Sequence, residues 1–239
     1  MQTDAKDYLF SASLIATALA ATALLLAGMQ ESLASILGPY SAIALLILFA
    51  AIYGGSTVLL LAMLSAWRPL REGDYAMDHP QFTLWKVQHV VGELGKVALS
   101  PFFPVFVKPA FYSLFGAQIG ARVAIAGKVL DPRLTVLEDG CVLGEGCIVT
   151  SHTMVQDRFV LRKVWVGKGA TVGVGSILMP GVKIGPGAVV LPGSVLKADT
   201  VVPAGELWGG IPAIRISGER RSEHTRNSPN HQPGGHESE

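Results

Sequence analysis

A hydrophobic residue recurs at every sixth position over the C-terminal half of the chain. Val160, Val166, Val172, Leu178, Ile184, Val190, Leu196 and Val202 are all β-branched or leucine. Four places after the first seven stand Val164, Ala170, Ser176, Val182, Ala188, Ser194 and Thr200, all small or β-branched. Glycine follows directly at Gly167, Gly173 and Gly185. An amphipathic helix repeats at about 3.6 residues and a half-buried strand at two, so neither yields this period. A strict six with a small residue at a fixed offset describes a parallel β-helix. Each hexapeptide makes a short strand and a turn, and three make one coil. The large residue points into a narrow prism, and a small one fits beside it. Coils then stack about 4.8 Å apart through backbone hydrogen bonds.

The same phase appears upstream at Ile119, Ile125, Leu137, Leu143 and Val149, with Val123, Val129, Cys141, Cys147 and Thr153 in the small slot. The predicted β-helix therefore covers 118–205, with Pro203 ending the repeats. Both cysteines become core fillers, which argues against a disulfide or a metal site. The phase breaks once. Val149 and Val160 are 11 apart, so about five residues should loop out near 155–159. A cap is expected over 206–216, and a disordered tail rich in Ser, Asn, Gly, Pro and charge over 217–239.

The N-terminal third differs. Leu9 to Gly28 carries no charge, and neither does Ser41 to Trp67. Twenty helical residues reach about 30 Å, one hydrocarbon thickness. These runs account for a chain that is 50 % hydrophobic and only 15 % charged. Two transmembrane helices are expected, over 9–28 and 41–67. Lys6, Arg68 and Arg71 flank the pair, and the loop between holds no base, so both ends, including 1–8, are expected to be cytoplasmic. A cleaved signal peptide fits poorly, since two acids precede the first run and a second follows. A net charge of +1 gives no electrostatic footprint for nucleic acid. The connector, 68–117, contains Val87, Val90, Val91 and Leu94 at helical spacing. After Pro101 and Pro104, residues 105–115 are apolar with Lys108 and Tyr112, and read equally as an interfacial segment or as a helix packed on its own domain.

Of six histidines, His224, His231 and His236 lie in the tail, while His79 and His89 on the connector read as structural or interfacial. His152 alone lies among the repeats, where the chain leaves the regular coil, and solenoids carry function on such excursions. Imidazole, with an ordinary pKa near ~6.5, suits proton transfer at neutral pH. Its second nitrogen needs an acceptor. Asp157 is the nearest acid, Glu145 the alternative, and Asp157 could equally pair with Arg158.

The repeats, Ser151 and His152 before a loop, and the terminal Gly210 to Ala213 together resemble the hexapeptide-repeat acyltransferases, which include galactoside, maltose and xenobiotic acetyltransferases. The likeness covers about 115–216. The segments His152 to Arg158 and Leu70 to Tyr75 resemble, more closely, the membrane-bound C-terminal domain of peptide synthetases that make poly-amino acids. The resemblance implies a left-handed parallel β-helix behind two transmembrane helices, assembled as a homotrimer. It implies acyl transfer from coenzyme A, with His152 as general base. Val174, Pro192, Lys197 and Arg215 match residues that contact the coenzyme. The base usually found directly after Pro-Ala is replaced by Ile214, so a carrier protein's phosphopantetheine is the alternative donor. The expected acceptor is a hydroxyl or amine of a lipid-linked sugar or other envelope precursor at a bacterial-type inner membrane, and no metal is expected. Other readings are a non-catalytic trimeric membrane scaffold and a stand-alone partner of a synthetase carrier domain. The carbonic anhydrases of this fold need three histidines on the coils, and only one is present.

Overall fold

The computed structural model describes residues 5–216. The expected tail at 217–239 lies outside them. Helix α1 (Ala5–Leu37) runs past the charge-free segment and includes Glu31. One 3-10 turn (Gly38–Tyr40) joins it to α2 (Ser41–Trp67). The two helices pack on each other, and both touch α3 (Pro80–Leu99). The apolar stretch Asp7–Trp67 is long enough to cross a membrane, and only 17 % of its most apolar window is buried. Leucines 24, 46 and 59 face outward.

Helices α2 and α3 meet closely through small residues. A Cβ added at Gly95 would lie 2.1 Å from Thr57 Oγ1, and one at Gly54 would lie 2.3 Å from Leu99 Cγ. A buried ion pair, Lys86 to Asp7, ties α3 to the start of α1. Val87 and Val91 are buried as their spacing predicts, but Val90 and Leu94 face outward. The buried face of α3 is instead centred on Phe82, Trp85 and Val91, because the β-helix packs there too.

The β-helix has three parallel faces. The first stacks β2 (Gln118–Ile119), β5 (Thr135–Leu137), β10 (Val164–Val166), β13 (Lys183–Ile184) and β16 (Val201–Val202). The second stacks β3 (Ala124–Ile125), β6 (Val142–Leu143), β11 (Thr171–Val172), β14 (Val189–Val190) and β17 (Leu207–Gly210), closed by antiparallel β18 (Ala213–Arg215). The third stacks β4 (Lys128–Val129), β7 (Ile148–Val149), β12 (Ile177–Leu178) and β15 (Val195–Leu196). The in-phase residues Leu178, Ile184, Val190 and Leu196 fill the interior with Ala170, Ser176, Ala188 and Ser194 beside them. Cys141 and Cys147 lie there fully buried, and burial pushes both thiols up to about 11. The recurring glycines allow close stacking: a Cβ on Gly173 would lie 2.4 Å from the backbone nitrogen of Pro192.

Helix α4 (Lys108–Leu114) covers the open end of the coil with Phe111 and Tyr112, beside Phe115. Of the two readings for this segment, the packed one holds for α4. Lys108 Nζ donates to Ala126 O at 2.9 Å and burial raises the Tyr112 phenol, whereas Val105 and Phe106 remain exposed.

Two expectations of register need correction. Val160 and Thr153 are not coil residues. They pair with each other in an antiparallel hairpin, β8 (His152–Val155) and β9 (Arg158–Leu161), inserted between β7 and β10. The consecutive in-phase residues are Val149 and Val166, 17 apart, so the excursion is a whole hairpin rather than five residues. The first coil is also irregular. Val129 pairs with Val149, so it fills a strand position rather than the small slot. It follows Ile125 by four residues and precedes Leu137 by eight. The surplus after β4 forms a bulge with a 3-10 turn, Pro132–Leu134.

Candidate active site at the base of the hairpin

The bulge after β4 and the hairpin after β7 leave the same corner of the prism on adjacent coils. Asp131, at the start of the bulge, and His152, at the start of β8, are thereby brought together. His152 Nδ1 lies 2.6 Å from Asp131 Oδ2. The same oxygen accepts Ser151 N at 3.0 Å, and Oδ1 accepts Trp85 Nε1 at 2.9 Å. Asp131 is almost completely buried. Burial alone would raise its pKa, but the bonds from His152, Trp85 and Ser151 outweigh it and hold the carboxyl below the usual aspartate range. An ionised carboxylate only accepts, so Nδ1 carries a proton, and in the neutral form of the ring the lone pair is on Nε2.

Packing fixes the ring further. The Trp85 ring centroid lies 4.4 Å from that of His152, and His89, one turn along α3, lies edge-on at 5.7 Å. Thr150 Oγ1 donates to His152 O at 2.8 Å, and Ser151 Oγ donates to Leu134 O at 3.0 Å, joining hairpin base to bulge. The His152 side chain stays 18 % exposed. Burial lowers the pKa of His89, against the opposing fields of Asp131 and Glu93. The site is thus a carboxylate-oriented imidazole with a second imidazole beside it, whose burial favours the neutral form. Such a pair can take up and return a proton.

The hairpin is held from its other edge. Strand β1 (Gly73–Ala76) pairs antiparallel with β9, setting Tyr75 opposite Phe159. Arg162 Nη2 donates to both Asp74 oxygens, at 2.9 and 3.1 Å, and Nη1 pairs with Asp199 on an upper coil. Phe82, Trp85, Leu134, Phe159 and Leu161 form a small core beneath.

Asp157 is not the partner of His152. It stands in the exposed turn of the hairpin after Gln156, whose φ is +55°, and among the described residues it has no ion-pair partner, Arg158 included. Glu145 is exposed in the turn between β6 and β7. Val174 and Pro192 sit on successive coils at the corner between the second and third faces, linked by Gly193 N donating to Val174 O at 2.8 Å. Lys197 is exposed at the next corner, and Arg215, on β18, contacts Glu206 at 3.2 Å. Asp131 and Trp85 are the residues that sequence reasoning passed over, and His89 the one that it set aside. A signal for Asp131 existed: six residues after Ile125 the phase falls on a carboxylate.

Residues 163–198 match a family model described as bacterial transferase hexapeptide (six repeats). Among solved structures, the chain is similar to a hexapeptide transferase family protein from Anaplasma phagocytophilum, at 26 % identity over 44 % of this chain and 57 % of that one, TM-score 0.36. It is similar to a hexapeptide-repeat acetyltransferase from Vibrio cholerae crystallised with acetyl coenzyme A, at 22 % identity over 42 % and 59 %, TM-score 0.39. It is also similar to a maltose O-acetyltransferase from Clostridium difficile, at 16 % identity over 62 % and 92 %, TM-score 0.40. The chain spans about three fifths of the length of the first two. No curated protein matches it. At these scores the fold rests on the stacked strands themselves.

Proposed function

We propose that the chain is a membrane-anchored acyltransferase that moves an acyl group, acetyl in the simplest case, from a coenzyme A thioester to a hydroxyl or amine of a membrane-linked sugar or envelope precursor. The observation that carries the reading is the His152–Asp131 pair, built where the coil breaks register. His152 Nε2 takes the proton from the acceptor as its oxygen or nitrogen attacks the thioester carbonyl. The carbon–sulfur bond breaks, and the imidazolium returns the proton to the departing thiolate. Asp131 keeps the proton on Nδ1 and stabilises the cation that forms in between. The donor belongs along the coils, where Val174 and Pro192 offer an exposed apolar edge and Lys197 an exposed cation. A carrier-protein thioester would present the same pantetheine arm.

The anchor is α1 with α2. Their outward leucines and the absence of Lys and Arg between 7 and 67 suit two spans with both ends on the cytoplasmic side. At 1.5 Å per residue α1 is about 50 Å long, more than one hydrocarbon core, so it tilts or projects beyond the bilayer. Three copies complete the donor cleft. Replacing His152 with Ala in detergent-purified protein is expected to lower thioester-dependent acceptor acylation by about 10²–10⁴-fold, with little change in melting temperature. Full activity in that variant would refute the base. Absence of donor binding in the unaltered protein would favour a scaffold.

A further inference from the structure

Beside the His152–Asp131 pair a narrow cleft of about 40 Å³ lies between α2, α3 and the bulge. Two of its polar groups have no use inside the protein. Gln88 is 7 % exposed, yet neither its amide oxygen nor its amide nitrogen has a hydrogen-bond partner. Leaving a buried amide unpaired is costly, so such groups ordinarily mark a place for a ligand or ordered water. Arg133, partly buried on the bulge, has no acceptor among the described residues. The other charges here are matched: Lys96 pairs with Glu93 and also reaches Leu130 O at 3.4 Å, and Asp131 is consumed by its three donors. His89 also lines the cleft, and burial favours its neutral form. An unpaired guanidinium and an unpaired amide among the residues lining one cleft match a phosphate or carboxylate: the fork can donate two parallel bonds and the amide a third.

The remaining walls are apolar: Leu61, Leu70, Phe115, Leu130 and Leu134. Leu61 belongs to α2, six residues before its end at Trp67, about 9 Å along the helix axis. We propose that this cleft binds the anionic head, phosphate or carboxylate, of an amphiphile whose apolar part lies along α2. The anion site stands without acyl transfer. The amphiphile part rests on the membrane placement of α1 and α2 proposed above.

The test is calorimetric titration of dodecyl phosphate into the full chain held in dodecyl maltoside micelles. Inorganic phosphate and dodecyltrimethylammonium serve as parallel probes. Saturable binding of dodecyl phosphate is expected, with weaker binding of inorganic phosphate and none of the cation. Arg133→Met and Gln88→Leu should each weaken it about tenfold or more, the usual scale for a charge-assisted bond. Circular dichroism of both variants confirms that they are folded. The unaltered protein is informative by itself if they are not. Equal affinity for inorganic and dodecyl phosphate would overturn the amphiphile, and equal binding of the cation would overturn the anion site. Unchanged affinity in folded Arg133→Met would overturn the location. None of these readouts uses turnover, so a failure of the acyltransfer reading is seen separately, in the His152→Ala assay.

Discussion

Changing Asp131 to Asn separates a carboxylate that orients a base from one that only buckles two coils. The carboxylate accepts one bond on Oδ1, from Trp85, and two on Oδ2, from Ser151 and His152. An amide keeps one acceptor and turns the other into a donor. With its oxygen in the Oδ2 place, the new NH₂ faces the Trp85 N–H. With the amide reversed, it faces the Ser151 N–H, and His152 can stay bonded only by giving up the Nδ1 proton. That second state puts the proton on Nε2 and removes the lone pair that the chemistry needs. Either way a charge-assisted bond is lost and a buried donor is orphaned, together about 2–4 kcal/mol. For a chain of this size that lowers the melting temperature by about 5–15 °C. Turnover should fall by about 10²–10⁴-fold, since charge stabilisation of the imidazolium is lost in both states. The assay is thiol release from the donor with a confirmed acceptor, run below the variant's melting temperature. Asp157→Asn is the control, and is expected to change stability by less than about 0.5 kcal/mol and activity not at all. Wild-type turnover in a destabilised Asp131→Asn protein would refute the orienting role, and a loss confined to Asp157→Asn would restore the acid that sequence proximity favours.

Gly173→Ala should cost about 1–3 kcal/mol or more in thermal unfolding, because the new Cβ would lie 2.4 Å from backbone of the next coil, while Gly28→Ala, with open space around it, should be neutral or slightly stabilising. His89 has a native pKa below its unfolded value of about 6.5, so the unfolded chain binds more protons just below that pH. Its contribution to stability is therefore complete above about pH 6.5 and declines as pH falls through the window down to the native value; His89→Leu should flatten that slope in melting temperature against pH. Cys141 and Cys147, buried with thiols pushed up to about 11, should resist maleimide in the native protein at pH 7.5 and react on unfolding. Rapid native labelling of either would place it outside the coil interior.

The coil was legible because its period is set by the narrow prism, which every hexapeptide must satisfy. The excursion was misread for a specific reason. Val160 stands six residues before Val166 and is apolar, so it passes for a coil position, yet it lies in a hairpin strand opposite Asp74 and Thr153. A two-residue period and a six-residue period coincide there. The partner of His152 was missed because it was sought along the chain. Coils stack, so the neighbours of a residue lie about three hexapeptides away, and 131–134 is the segment one coil upstream. Trp85 and His89 come from α3, whose docking depends on tertiary packing that no local pattern encodes. The segments 70–75 and 152–158, expected to go together, fall on the two outer strands of one sheet, β1 and β8, with β9 between them.

On the proposed reading, the position of α3 bears on how an anchor formed by α1 and α2 and the coil serve one reaction. Trp85 touches Asp131 and His152, while Gly92 and Gly95, two and three turns along the same helix, lie against α2. The helix that seats the imidazole is thus the helix that packs on the apolar hairpin. A flexible tether would let the base wander relative to the bilayer, and a misplacement of about 1 Å is enough to cost 10²-fold in rate. Here the close contact of Gly95 with Thr57, the buried pair of Lys86 with Asp7 and the bond from Trp85 to Asp131 form one continuous path from α1 and α2 to the corner that holds His152. The depth at which the hairpin sits would then set the height of His152 above the membrane, and with it which part of a lipid-linked acceptor can reach Nε2.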